Sequence, residues 1–222
     1  MLLLALVAAF ALFSFVGCAD TPGTEGEGNT DETPDTPVPE GMTEYVFEAE
    51  WSPDIEFMAG FDYSGTISGL DMIQKDYYEK GASNGYYVTG LYGEGLTLSY
   101  IIHSDKAVDD ATFAIRISAE YMDISLTSSS YQIAVNGNDI AYRTIKLTGV
   151  PVSDRANMLE FEDFVLTQTL SLKEGDNTVT FTTSNSTPMM GTMYATAPLV
   201  DCFKITTSAK LTWDPCMTNT GQ

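Results

Sequence analysis

From Thr43 onward the chain is a succession of short runs rich in Val, Ile, Thr, Tyr and Phe, each closed by Gly, Asn, Asp, Pro or Ser. β-Branched and aromatic side chains suit a pleated, half-buried surface, and such runs between turn formers read as strands. Strands are expected at 45–51, 86–91, 97–102, 112–119, 131–135, 145–147, 164–172, 178–183 and 200–206. Asn84-Gly85 and Asn136-Gly137 are reversal signals, because both residue types accept positive φ, and 173–177 marks a further turn. Only 71–80 reads as a helical turn or more. Many short strands with regular turns make a sandwich or a barrel; an all-β sandwich is the expectation here. It would occupy residues 43–208, with 209–222 as a C-terminal tail in which 212–222 is either a short strand held by Cys216 or a loose end.

What precedes the domain is of another kind. Residues 2–15 hold no charge and one polar residue, Ser14. A membrane helix needs about 20 apolar residues, so this run fits the apolar part of a cleaved signal peptide. Phe15-Val16-Gly17-Cys18 follows and resembles the lipobox of bacterial lipoproteins. The resemblance implies removal of residues 1–17 and lipidation of Cys18. The protein would then be extracellular, held to the bacterial cell membrane or outer membrane through the lipid anchor only. Each buried methylene of such a chain adds about 0.8 kcal/mol, and two or three chains anchor durably. An ordinary signal peptide with an incidental cysteine is the plainer alternative. Residues 19–42 carry no basic and no aromatic side chain and are dominated by Thr, Pro, Gly, Asp and Glu. That composition cannot offset the entropy of ordering it, so 18–42 is expected to be a lipidated Cys followed by a disordered, extended acidic linker.

Charge narrows the partners. Lys and Arg number 10 against 31 Asp and Glu, for a net charge of −21. Phosphate backbones and anionic lipid surfaces both require clustered cations, so no nucleic acid partner is expected and no direct electrostatic docking on a membrane. With Cys18 assigned, Cys202 and Cys216 remain, either as a disulfide in an oxidising compartment or as two thiols.

Catalytic signatures are sparse. The single histidine, His103, ends an apolar strand and reads as an exposed edge residue. No HExxH and no Gly-rich phosphate loop before a Lys occurs. Acids are abundant, but nothing singles out a pair for glycoside hydrolysis. The chain is not expected to be an enzyme.

One acidic pair does stand out. In Tyr45-Val46-Phe47-Glu48-Ala49-Glu50-Trp51, strand alternation puts Glu48 and Glu50 on one face, roughly 7 Å apart at ~3.3 Å per residue. Two carboxylates there suit one hard cation such as Ca²⁺, or are simply a solvated face. Phe47-Glu48-Ala49-Glu50 resembles the opening strand of family 6 and family 35 carbohydrate-binding modules, which are galactose-binding-like jelly-roll sandwiches. Further similar segments follow in order: Ala82-Ser83-Asn84-Gly85-Tyr86-Tyr87-Val88, Thr97-Leu98-Ser99-Tyr100-Ile101-Ile102, Ala114-Ile115-Arg116-Ile117-Ser118, Val135-Asn136-Gly137, Leu172-Lys173-Glu174-Gly175-Asp176-Asn177-Thr178-Val179 and Val200-Asp201-Cys202-Phe203-Lys204-Ile205.

The resemblance implies a structural Ca²⁺ held by Glu48, Glu50 and Asp201, with backbone carbonyls from 81–84 completing its shell. It also implies a glycan or polysaccharide partner bound in the loops at one end of the sandwich. Tyr87, Tyr92, Tyr142, Asn185 and Tyr194 are the ligand candidates, Tyr194 and Asn185 lying in a long loop at 184–198. The Trp and Asn positions common in family 6 are replaced here by Gly95-Leu96 and Pro198-Leu199-Val200. A different class of function, an adhesive or structural sandwich with a protein partner and no sugar site, would use an apolar patch around Met189, Met190 and Met193.

Overall fold

The structure is a computed structural model that describes residues 37–52, 73–76, 79, 81–91, 94–151, 153–154, 160–166, 169–184, 186–189, 192–195 and 197–213. The apolar leader, Cys18, the linker as far as residue 36, and Cys216 lie outside the described residues.

The described chain is β almost throughout. In order it forms β1 (Thr43–Glu48), a 3₁₀ turn (Ala49–Trp51), β2 (Ile73–Lys75), β3 (Tyr86–Val88), β4 (Thr97–Ser104), β5 (Val108–Ser118), β6 (Ile124–Leu126), β7 (Tyr131–Val135) and β8 (Asn138–Asp139). There follow β9 (Ile145–Leu147), β10 (Glu162–Val165), β11 (Leu170–Leu172), β12 (Gly175–Thr183), β13 (Ser186–Met189), β14 (Thr192–Ala195), β15 (Leu199–Thr207) and β16 (Leu211–Trp213).

Two antiparallel sheets carry the fold. One runs β10-β5-β15-β3-β2, with β1 also on β15 and β11 also on β5; the other runs β16-β4-β12-β7-β8. Their inner faces meet through aromatic rings. Phe203 and Phe113 of the first sheet lie 5.3 and 6.0 Å from Phe181 of the second, and Tyr100 lies 4.9 Å from Phe203. These contacts make the molecule a β-sandwich, as expected. Period-2 alternation explains which side chains enter it: along β4, Leu98, Tyr100 and Ile102 are buried while Ile101 and His103 are exposed. β4 lies between β16 and β12, so His103 is exposed on a sheet face and not at an edge.

Three expectations are corrected. The segment 71–80 contains the strand β2, paired with β3 (Ile73 opposite Val88), where a helical turn was expected; partner pairing overrides a weak local preference. The expected strand 164–172 is interrupted between Val165 and Leu170, both halves remaining on β5. The expected loop 184–198 contains a hairpin, β13 against β14.

Candidate functional site

β1 and β3 share one edge of β15, end to end. β1 pairs along Cys202 to Thr207 and stops at Glu48 opposite Cys202; β3 meets β15 at Val200. Between them the chain after Glu48 curls away in the 3₁₀ turn, so Glu50 does not continue the strand alternation that the sequence suggested. The turn is clamped from the other sheet. Tyr100 Oη donates to the Ala49 carbonyl at 2.9 Å and Ser52 Oγ to the Ser99 carbonyl at 2.9 Å.

On the facing side of the gap, the β2–β3 connection closes at Gly85. Its positive φ (+74°) suits glycine, and its N–H donates to Ala82 O at 3.1 Å. This turn aims Ser83 and Asn84 at the acids. Ser83 N–H donates to Asp201 Oδ1 at 2.9 Å, and Ser83 Oγ approaches Glu48 Oε2 at 2.6 Å and Asp201 Oδ1 at 3.2 Å. Asn84 Nδ2 donates to Glu50 Oε1 at 2.9 Å.

β15 supplies the remaining groups through a bulge. Val200 pairs with Ile117 and Cys202 with Arg116, leaving Asp201 as the extra residue. A bulge disrupts strict alternation, and here consecutive side chains converge. A carboxylate oxygen of Glu48, one of Asp201 and the Cys202 Sγ all lie within 4.8 Å of one another, and all three residues are buried. Arg116 crosses from β5: its Nε lies 2.9 Å from Asp201 Oδ2, Nη2 donates to Gly81 O at 3.0 Å and Nη1 to Asp163 Oδ2 at 3.2 Å. Lys204 Nζ also reaches Asp163, at 3.0 Å.

Burial dominates the electrostatics. It raises the carboxyl groups of Glu48 and Asp201 above the ordinary range, against the lowering effect of Ser83, with Arg116 also opposing it at Asp201. Glu50, 2% exposed, is pushed up to about 7 by burial, with smaller contributions from the charges of Glu48 and Asp201. Its Oε2 is buried without a hydrogen-bond partner. Burial likewise raises the Cys202 thiol. A buried carboxylate oxygen with no donor is costly unless something else compensates it.

The structure thus brings together Glu48, Glu50 and Asp201. Sequence reasoning considered Cys202 for a disulfide and Ser83 and Asn84 for their backbone carbonyls; it did not foresee the Ser83 and Asn84 side chains, the Cys202 thiol or Arg116 at the site. Arg116 carries a signal, a lone cation in an apolar strand; Cys202 carries none, since the bulge is not visible in alternation. Two expected shell carbonyls are engaged elsewhere, Gly81 O by Arg116 and Ala82 O by Gly85 N–H.

The expected ligand residues do not gather in the described structure. Tyr87 is buried (6% exposed), its ring 5.4 Å from Phe161 in a small cluster with Leu199. Tyr142 is half-buried, and its hydroxyl donates to Thr127 O at 3.0 Å and also to Tyr131 O. Both are packing positions, where ligand contact was considered for them. Tyr194 lies on β14 opposite Thr187 in the backbone register, while Tyr92 and Asn185 fall outside the described residues. Cys202 is a buried free thiol; Cys216, considered as its bridge partner, lies outside the described residues.

No family model and no curated protein matches the chain. Solved structures of family 35 carbohydrate-binding modules are similar to it. One from an environmental isolate is 14% identical, covering 78% of this chain and 98% of that one, with a TM-score of 0.46. One from Clostridium thermocellum is 13% identical, covering 73% and 97%, with a TM-score of 0.44. A third, Xyl-CBM35 in complex with a glucuronic acid-containing disaccharide, is 14% identical, covering 65% and 87%, with a TM-score of 0.40.

Proposed function

We propose that this chain is a non-catalytic carbohydrate-binding β-sandwich, stabilised by Ca²⁺ and displayed outside the cell on a lipidated Cys18 and an acidic tether. The observation that carries the reading is the convergence of Glu48, Glu50 and Asp201 from the two ends of the domain into one buried cluster. That is the ligand set implied by the resemblance of the sequence to family 6 and family 35 modules.

The cluster suits a hard dication. Four carboxylates, Asp163 included, face the two cations Arg116 and Lys204, so two negative charges stay uncompensated when all are ionised. One oxygen, Glu50 Oε2, has no donor. Ca²⁺ accepts six to eight such oxygens with flexible geometry, and it would join β1 to β15 and to the Ser83–Asn84 turn. With Gly81 O and Ala82 O engaged, the carboxylates carry more of the shell.

For the glycan, Tyr92, Asn185 and Tyr194 are the candidates, an aromatic face packing against the apolar face of a sugar ring. The test is binding of the full chain, in detergent and millimolar Ca²⁺, to a broad glycan panel. A hit lost in Tyr92→Ala or Tyr194→Ala is the expected result. A blank panel from a folded, Ca²⁺-stabilised sample overturns the sugar reading and leaves the adhesive, protein-binding one.

A further inference from the structure

The ligand set implied by the resemblance is all oxygen, but the structure adds a sulfur to it. Cys202 Sγ lies within 4.8 Å of carboxylate oxygens of both Glu48 and Asp201, and Cys202 is 0% exposed. The bulge at Asp201 is what turns it there, since regular alternation would send consecutive side chains to opposite faces. Independently, Glu50 Oε2 is buried and unpartnered on a residue only 2% exposed, and Glu50 Oε1 accepts from Asn84, the neighbour of the Ser83 that bonds Glu48 and Asp201, so its carboxylate lies beside the same cluster.

We propose that this cluster is a mixed thiolate–carboxylate site that takes a thiophilic divalent cation, Zn²⁺ or Cd²⁺, through Cys202 Sγ, Glu48 and Asp201, with Glu50 supplying a further oxygen. Soft thiolate selects such ions over Ca²⁺, which prefers oxygen alone. As the metal–sulfur bond forms, the thiol proton leaves to solvent. Zn–S and Zn–O bonds of about 2.3 and 2.0 Å set donors roughly 3.5 Å apart at tetrahedral angles. The side chains therefore close on the ion by about 1 Å, and Ser83 Oγ, which bridges Glu48 Oε2 and Asp201 Oδ1, gives way to it or joins its shell. The inference rests on the reading above that these residues hold a cation, and departs from it in the ion: the sulfur in the donor set does not fit Ca²⁺ as the all-oxygen set would.

Cd²⁺ is the probe, because its bond to sulfur gives an ultraviolet charge-transfer band that binding to oxygen does not. The full chain in detergent is titrated with Cd²⁺, following the band, and its melting temperature is measured separately with Ca²⁺ and with Cd²⁺. The expected result is a band saturating at one ion, retained in Cys216→Ser and abolished in Cys202→Ser. Glu48→Gln, which keeps the thiol, should weaken Cd²⁺ binding at least about tenfold. A band of unchanged size and affinity in Cys202→Ser, or unchanged affinity in Glu48→Gln, overturns the proposal. If Ca²⁺ raises the melting temperature but Cd²⁺ gives no Cys202-dependent band, the sulfur assignment fails and the Ca²⁺ reading stands. If neither ion shifts the melt, both fail.

Discussion

Tyr142 donates its hydroxyl proton to the carbonyls of Thr127 and Tyr131, whereas the hydroxyl of Tyr131 is buried with no hydrogen-bond partner. Burial raises both phenols far above their ordinary range, so neither ionises under usual conditions. The two rings therefore respond in opposite ways to losing one oxygen. Tyr142→Phe removes a working hydrogen bond and should cost about 1 kcal/mol, while Tyr131→Phe removes an unsatisfied polar atom and should be neutral or stabilising. Urea unfolding of the two variants checks this, and a cost for Tyr131→Phe as large as that for Tyr142→Phe would reject it. Tyr142 was expected to meet a ligand. Its hydroxyl partners could not be foreseen, because they belong to backbone eleven and fifteen residues away whose position depends on the whole sheet.

At the scale of elements, Asn177 ties two turns together. Its side chain is fully buried, accepts from Lys173 N–H at 2.9 Å, and donates to Lys173 O at 2.8 Å and Gly175 O at 3.0 Å. It also accepts from Asn136 Nδ2 at 2.9 Å, and Asn136 Oδ1 accepts from Thr178 N–H at 3.2 Å. Asn177→Ala strands several buried groups at once, and a loss of roughly 3 kcal/mol is expected from the usual cost of unsatisfied polar atoms. The same variant made with Asn136→Ala should lose less than the two single losses combined, which a double-mutant cycle in urea would measure. Both turns were legible beforehand because their chemistry is local. Asn136 and Gly137 adopt φ of +53° and +77°, as an Asn-Gly reversal demands. β2, β6, β13 and β14 were not legible: runs of three or four residues show alternation only weakly, and their partners define them. The site divides in the same way. Glu48, Glu50 and Asp201 were singled out through a resemblance carried by segments in a fixed order, whereas Cys202 depends on a bulge and Ser83 on a turn aimed across a gap.

For the molecule as a whole, the buried acids link stability to pH and to cations. Folding raises Glu50 from 4.5 to about 7, and raises Glu48 and Asp201 as well. Between those values the folded chain holds protons that the unfolded chain has released, so rising pH favours unfolding in a cation-free solution. For Glu50 alone the loss is on the order of 3 kcal/mol by pH 7 and above. Self-repulsion in a chain of net charge −21 acts in the same direction, so rescue is the telling measurement. Adding Ca²⁺ at pH 7.5 should restore the melting temperature lost between pH 5 and pH 7.5 in EDTA; a flat profile in EDTA with no response to Ca²⁺ would sink the coupling. The discontinuity beside β15 has a consequence in time. Whether it emerges from a ribosome or from an export channel, the chain presents β1 first and β15 nearly last, so a chain that has not yet emerged as far as Leu199 keeps Glu48 and Glu50 in water, with neither the cost of their burial nor anything to gather around. The domain's opening and closing strands therefore lock in a single late event, and a chain cut short before that strand lacks the seam against which its first strand would close.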